Sequence, residues 1–349
     1  MVKASFLKYI LEFKQASGTS RGILKTKTTY FLKLQKNDNW GIGECGLFKG
    51  LSIDDVPDYD EKLDWVCKNI NLGLDNLLLE IKSYPSIQFG LEQAFLSLKS
   101  KDKFNLFPSD FTLNQKGIVI NGLIWMGSKD FMNRQIKEKL KEGFTTIKLK
   151  IGAIDFQSEI DLIKSIRKEF SASEIELRVD ANGAFKPIEA LEKLKILSDF
   201  DLHSIEQPIK AHQWEDMAEL CLKTPLPIAL DEELIGVFNT SEKERLLQTI
   251  RPQYIILKPS LIGGFSGSNE WINLADKQNI GWWITSALES NIGLNAIAQF
   301  TYMLKNKMPQ GLGTGGLFTN NISTPLEVKK GTLIYNRDTN WDLSLLNFN

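Results

Sequence analysis

A parallel α/β barrel preceded by an α+β segment is the fold class predicted for this chain of 349 residues. Three observations predict it. From Gly117 onward, short apolar runs alternate with amphipathic helical stretches. Eight such runs follow one another over about 200 residues, which fits a closed (β/α)8-type barrel better than an open doubly wound sheet. Charged residues close four consecutive runs at nearly constant spacing. Strands that alternate with helices imply right-handed βαβ units and a parallel sheet.

The first third reads differently. "ASFLKYILEFKQ" and "TTYFLKLQKNDNWGIGEC" have strand character and are joined by the polar loop "ASGTSRGILKTK". Helical patterns follow at "DYDEKLDWVCKNINLGLDNLLLEIKSY" and "IQFGLEQAFLSLKS", and "KDKFNLFPSD" carries the turn chemistry of a linker. The barrel runs are then "GIVINGLI", "TTIKLKI", "EIELRVD", "LHSIEQP", "PIALDE", "YIILKPS", "GWWITS" and "QGLGTG". The last is glycine-rich but lacks the strand–GxGxxG–helix context of a dinucleotide site, so it reads as a loop. "PLEVKKGTLIYN" is strand-like with no helix to match, and is expected to pack back on the N-terminal region.

Composition narrows the function. Hydrophobic residues make up 42%, charged residues 24%, and the formal net charge is −1. With no long run of one sign, neither nucleic acid nor an acidic membrane is the expected partner. The N-terminus alternates and carries charges, unlike a signal peptide, and no run is long and apolar enough for a membrane span. Cys45, Cys67 and Cys221 are an odd set without metal spacing, as expected of a reducing cytoplasm.

Chemistry in a parallel barrel sits at the C-terminal strand ends. The third to sixth runs end in Asp180, Glu206, Asp231 and Lys258, spaced 26, 25 and 27 residues apart, about one βα unit each. All four therefore converge on one mouth, with Lys150 one further unit upstream. Three converging carboxylates repel and are costly to bury. A hard divalent cation resolves the conflict, and carboxylates without Cys or His suit Mg²⁺, with Mn²⁺ as a substitute. Singly, each acid also reads as a helix cap or a surface charge. Lys148 and Lys150 share one face of their strand because side chains two residues apart point the same way. Beside a second cation, in a low-dielectric site, a lysine titrates low enough to act as a base. On this reading Lys148 and the metal make Lys150 that base, and Lys258 lies across the metal from it. The competing reading is a pair of snorkelling or salt-bridged lysines. His203, at an odd offset from Glu206, is expected to face away from the mouth, and His212 to lie in a helical segment, so no histidine shuttle is available.

These residues resemble the enolase superfamily, and within it the muconate-lactonising-like subgroup. The matching motifs are K-x-K at Lys148 and Lys150, D-x-N at Asp180 and Asn182, E-Q-P from Glu206, Asp231-Glu232, and Lys258-Pro259. The resemblance covers essentially the whole chain. It implies a modified (β/α)7β barrel at 113–320, an α+β capping domain at 1–112, and a tail, 321–349, that rejoins the cap sheet. It also implies Mg²⁺ on Asp180, Glu206 and Asp231, with proton abstraction next to a carboxylate giving an enediolate. Members that use a His–Asp dyad are disfavoured by the histidine positions.

Two activities share these residues: the dehydration run by o-succinylbenzoate synthases, a lyase reaction of menaquinone biosynthesis, and the epimerisation of dipeptides or N-acylamino acids. "ITSALESNIGLNAIAQF" resembles the synthases, and "GLGTGGLFTNN" lacks the acids with which epimerases hold an α-ammonium group. The synthase is therefore expected, with a small-molecule carboxylate as substrate and oligomeric state open. A barrel that binds metal and ligand without chemistry would have lost part of this set. Thr285 and Ser286 are candidate donors to a substrate carboxylate, Arg21 a candidate for a second one. The loops "GTSRGILK" and "CGLFKGLS" are placed to cover the mouth.

Overall fold

Alternation along the N-terminal residues builds an antiparallel meander of β1 (Lys3–Thr19), β2 (Gly22–Lys36) and β3 (Asn39–Cys45). The computed structural model describes residues 1–19, 22–125 and 127–348. On one face of the meander, Tyr30, Leu32 and Leu34 are buried against α1 (Tyr59–Lys68), α2 (Leu74–Glu80) and α3 (Pro85–Lys99). The long helical pattern of the sequence breaks between α1 and α2, where Gly73 adopts φ 84°. Helix α3 lies directly on β3: a Cβ on Gly43 would stand 2.1 Å from the Gly90 carbonyl oxygen, so the G-x-G of "WGIGEC" serves close packing. A short α4 (Asp110–Asn114) ends this region.

The first barrel run divides in two. Its beginning, β4 (Ile118–Val119), pairs antiparallel with the C-terminal tail, and only β5 (Gly122–Ile124) enters the parallel sheet. The rest follows the predicted rhythm: α5 (Lys129–Lys141), β6 (Thr146–Lys150), α6 (Phe156–Glu169), β7 (Glu176–Asp180), α7 (Pro187–Ser198), β8 (Ser204–Glu206), α8 (Trp214–Lys223) and β9 (Ile228–Leu230). Then come α9 (Thr240–Ile250), β10 (Tyr254–Leu257), α10 (Gly264–Lys277), β11 (Gly281–Ile284) and α11 (Asn291–Met303). Strands β5 to β11 lie side by side in chain order. The eighth run closes the ring: Gln310 N–H donates to the Val119 carbonyl at 2.9 Å, and Gly311 N–H to the Ile284 carbonyl at 2.8 Å.

Period-2 patterning sorts each strand. Ile147, Leu149, Leu177, Val179, Ile205, Leu230, Ile255, Leu257 and Ile284 face outward into the main core against the helices. Their alternates point into the barrel. The tail forms a hairpin, β12 (Leu326–Lys329) with β13 (Thr332–Tyr335), paired to β4 rather than to the meander. The chain meets the meander just before this tail, where Phe318 bridges antiparallel to Phe13 of β1, Lys14 N–H donating to the Leu317 carbonyl at 2.9 Å and Thr319 N–H to the Glu12 carbonyl at 2.8 Å. The tail covers the meander's second face with side chains, Ile322 and Leu346 packing on Phe31 and Ile42. No helix among the described residues is long and apolar enough to cross a membrane.

Candidate active site

Because β6, β7 and β8 run parallel in register, Lys150 sits beside Asp180 and Asp180 beside Glu206. Asp231 and Lys258 follow directly after β9 and β10, on the same inward side. The five charges meet at one mouth, as their spacing predicts, and they pair. Lys150 Nζ lies 3.0 Å from Asp180 Oδ2 and donates to Asn182 Oδ1 at 2.6 Å. Lys148 Nζ also reaches Asp180 Oδ2, at 2.9 Å, and donates to Glu206 Oε2. Lys258 donates to Asp231 Oδ2 and stands 4.0 Å from Glu206 Oε1. Asn182 in turn donates its N–H to Asp180 Oδ1 and its side-chain amide to Glu232 Oε1, both at 3.0 Å.

Asp180, Glu206 and Asp231 are all buried. Burial works against charge on Asp180, but Lys148 and Lys150 hold it far below the usual carboxylate range. Asp231 is likewise held low against its burial, chiefly by Lys258. Glu206 goes the other way: burial and the neighbouring Asp180 push it well above the usual range, although Lys148 pulls it back. Its Oε1 is buried without a hydrogen-bond partner. Burial lowers Lys148 and Lys258, yet the facing carboxylates outweigh it and hold both above the ordinary lysine value. Lys148 thus reaches two acids, Asp180 and Glu206, in addition to standing beside Lys150 on β6. The carboxylates lie closer to its ammonium than the argument from strand alternation allowed.

Among the described residues, no three Asp, Glu, His or Cys side chains converge on a single point; each carboxylate is turned onto a lysine. The donor set is all oxygen, and the partnerless Glu206 Oε1 is a buried acceptor suited to a hard cation.

Above the charges lies a cavity of about 310 Å³. Lys150, Asp180, Asn182, Glu232 and Lys258 form its polar floor, with Thr285 and Ser286 along one side. Ser286 is already engaged, donating to the Gly311 carbonyl at 3.3 Å and sharing a 2.7 Å bond with Thr314 Oγ1. From the N-terminal region, Phe48 and Leu51 of "CGLFKGLS" reach the cavity, together with Gln15. Arg21 lies outside the described residues. His203 rests at the far end of the barrel on Tyr254, ring centroids 4.9 Å apart. It precedes β8, so strand alternation does not govern its direction, but it is absent from the mouth. His212 occupies a turn with φ 69°, not a helix, and its N–H donates to Glu233 Oε1 at 2.8 Å.

Two contributors were not singled out from the sequence. Gln207 accepts the Asp231 N–H at 3.1 Å and donates to Glu233 Oε2 at 3.0 Å, tying the Glu206 strand end to the next one. The middle letter of E-Q-P was the available signal. Arg178 lies two residues below Asp180 on the same inward face and is buried.

A family described as Enolase C-terminal domain-like matches residues 132–337. The chain is 47% identical to an o-succinylbenzoate synthase from Desulfotalea psychrophila, over 95% of this chain and 98% of that protein. The crystal structure of MenC from the same organism superposes with a TM-score of 0.86 at 44% identity, covering 95% of this chain and 99% of the other. An L-Ala-D/L-Glu epimerase from Bacillus subtilis is 30% identical over 52% of this chain and 49% of its own length.

Proposed function

Since the chain belongs to the Enolase C-terminal domain-like family of the enolase superfamily, we propose that it is an o-succinylbenzoate synthase. It would dehydrate 2-succinyl-6-hydroxy-2,4-cyclohexadiene-1-carboxylate to 2-succinylbenzoate in menaquinone biosynthesis. The observation that carries the chemistry is the placement of Lys150 and Lys258 on opposite flanks of one buried carboxylate row, both facing the cavity.

Asp180, Glu206 and Asp231 would hold Mg²⁺, which when bound supplies positive charge to the substrate carboxylate and to the site's own acids. Lys150 takes the proton next to that carboxylate. Its contact with Asn182 Oδ1 fixes the direction of the Nζ amine, and Asn182 is itself held by Glu232. Lys258 presents a fixed cation to the charge that develops on the carboxylate, a preorganised charge of the kind that carries most electrostatic catalysis. The proton then passes from Lys150 to the leaving hydroxide on the same face, giving water and an aromatic ring. Phe48, Leu51 and Leu288 line the cavity with apolar surface and limit water around the base. The stretch that carries Gly313, Thr314 and Leu317 offers no carboxylate, which supports an anionic substrate over one with an α-ammonium group. Three free cysteines fit a cytoplasmic enzyme.

The test is ultraviolet absorbance of the cyclohexadiene with purified protein and Mg²⁺, run beside α-proton exchange of L-Ala-L-Glu in D₂O. Fast loss of the diene with little exchange is the expected result. An unchanged diene with exchanging dipeptide would give the site to epimerisation.

A further inference from the structure

The motif E-S-N-I-G after β11 begins with Glu289, a fully buried carboxylate that none of the steps above uses. It lies behind the cavity wall and touches several segments at once. Its Oε2 accepts the Ala287 N–H at 2.7 Å, in the stretch 285–288 that lines the cavity. That stretch needs holding, because Leu288 adopts φ 61°, a left-handed conformation unfavourable for a branched side chain. Glu289 Oε1 accepts from Ser260 Oγ at 2.5 Å, two residues beyond Lys258. The cap rests on the same group: a Cβ on Gly46 would stand 2.9 Å from Glu289 Cγ, so the backbone leading to Phe48 packs directly against it.

Its surroundings are anchored too. Glu44, at the end of β3, accepts the Ser290 N–H at 2.9 Å and the Gly293 N–H at 2.8 Å, at the start of α11. Lys27 on β2 brings a buried Nζ that makes no hydrogen bond; burial lowers its pKa, and the charges of Glu289 and Glu44 act against that. A carboxylate suits this junction because both its oxygens accept, and Ala287 and Ser260 both donate.

We propose that Glu289 is a positioning residue for the reaction: one buried carboxylate sets the cavity wall 285–288 against the turn that follows Lys258, beneath the cap loop bearing Phe48. The inference rests on the reading of Lys258 as a group that faces the substrate. Glu289 acts through Lys258 and the wall, and does not touch the reacting atoms.

Glu289→Gln keeps the size but turns an amide NH₂ toward one of the two donors. Ser260→Ala removes one bond and guards against a Glu289 variant that fails to fold. The expected result is a fall in kcat of about tenfold or more for Glu289→Gln, with KM nearly unchanged, since small misplacements of reacting groups act on kcat. Ser260→Ala should lower kcat in the same direction by less. Melting temperature and the pH profile of the remaining activity are measured on the same samples. Losses that follow the melting temperature, a change in KM alone, or unchanged kcat in both variants would overturn the proposal. The wild-type protein separates this from the function reading. If it leaves the diene untouched, that reading fails, and the variants are compared by dipeptide proton exchange. If the wild type turns over neither compound, amide hydrogen exchange decides: faster exchange at 285–288 and 258–262 in Glu289→Gln supports positioning, and unchanged exchange overturns it.

Discussion

Two residues separate the mouth of the barrel from its floor on successive strands: Asp180 from Arg178, Glu206 from Ser204, Asp231 from Ala229, Lys258 from Ile256, and Thr285 from Trp283. The two layers share strands, register and inward direction, yet they are built for different ends. In the floor, Ala229, Ile256 and Trp283 form one apolar cluster with Tyr254 and Met308. Arg178, the floor's charge on β7, is quieted locally. Its Nε donates to Glu176 at 2.8 Å, its Nη1 to the Pro309 carbonyl at 2.9 Å, and its guanidinium stacks 4.4 Å over Trp283. At the mouth the charges stay in competition: two lysines share one Asp180 oxygen, while Glu206 is pushed toward protonation. An apolar layer around one guanidinium held by local acceptors and an aromatic plate, with only its Nη2 lacking a hydrogen-bond partner, serves stability. A layer that buries charges and leaves them unsettled holds the groups a reaction needs.

The comparison is broken most completely through the mouth. Chelating divalent ions from the purified protein should end turnover, and added Mg²⁺ should restore it. Full activity in excess chelator would remove the carboxylate row from the mechanism. Next in size, Lys150→Ala and Lys258→Ala should each lower kcat by about 10² to 10⁴-fold, the range for a general base or a charge-stabilising group. Each variant should keep the fold by circular dichroism, because truncation at the rim leaves the outward core intact. Wild-type rates in either would sink the lysine assignment.

The floor should respond in the opposite sense. Trp283→Ala removes the plate under Arg178 and the largest member of its cluster, and should cost about 3 to 5 kcal/mol of stability. Turnover per folded molecule should change far less than in the lysine variants. A Trp283 variant with native stability and lost turnover would show that floor and mouth do not divide the labour in this way.

Most of this division is legible in the sequence, for a physical reason. Strand alternation and the repeat length of a βα unit are local properties, and together they placed Asp180, Glu206, Asp231, Lys150 and Lys258 at one mouth. What could not be read is where flexible side chains turn. Lys148 occupies a floor position on β6 but extends up to Asp180 and Glu206 and pairs with both. Long-range pairing was equally hidden. Glu44 and Ser290 are 246 residues apart, and no local pattern announces their contact. The split of "GIVINGLI" into β4 and β5 depends on a tail hairpin more than two hundred residues later.

The smallest effect is expected at a buried acid that no lysine charge offsets. Asp54, in the cap, is almost fully buried; its Oδ2 accepts from the Ser86 N–H at 2.9 Å and the Ser86 hydroxyl at 2.6 Å. Burial pushes its carboxyl from 3.8 up to about 6, only partly offset by those donors. Between these values the folded protein holds a proton that the unfolded chain has released. The stability this group contributes is therefore present in full below about pH 4 and is lost as pH rises through about 6. Two pKa units correspond to about 3 kcal/mol. Asp54→Asn stays neutral at every pH and keeps an acceptor for Ser86. Unfolding curves at pH 4 and pH 7 should show the variant gaining on the wild type by about 2 to 3 kcal/mol as pH rises. Parallel pH profiles would mean that Asp54 finds a compensating charge, as Asp180 does at the mouth. A widening gap would mark burial without a cation as a cost that the mouth avoids only because its lysines are there.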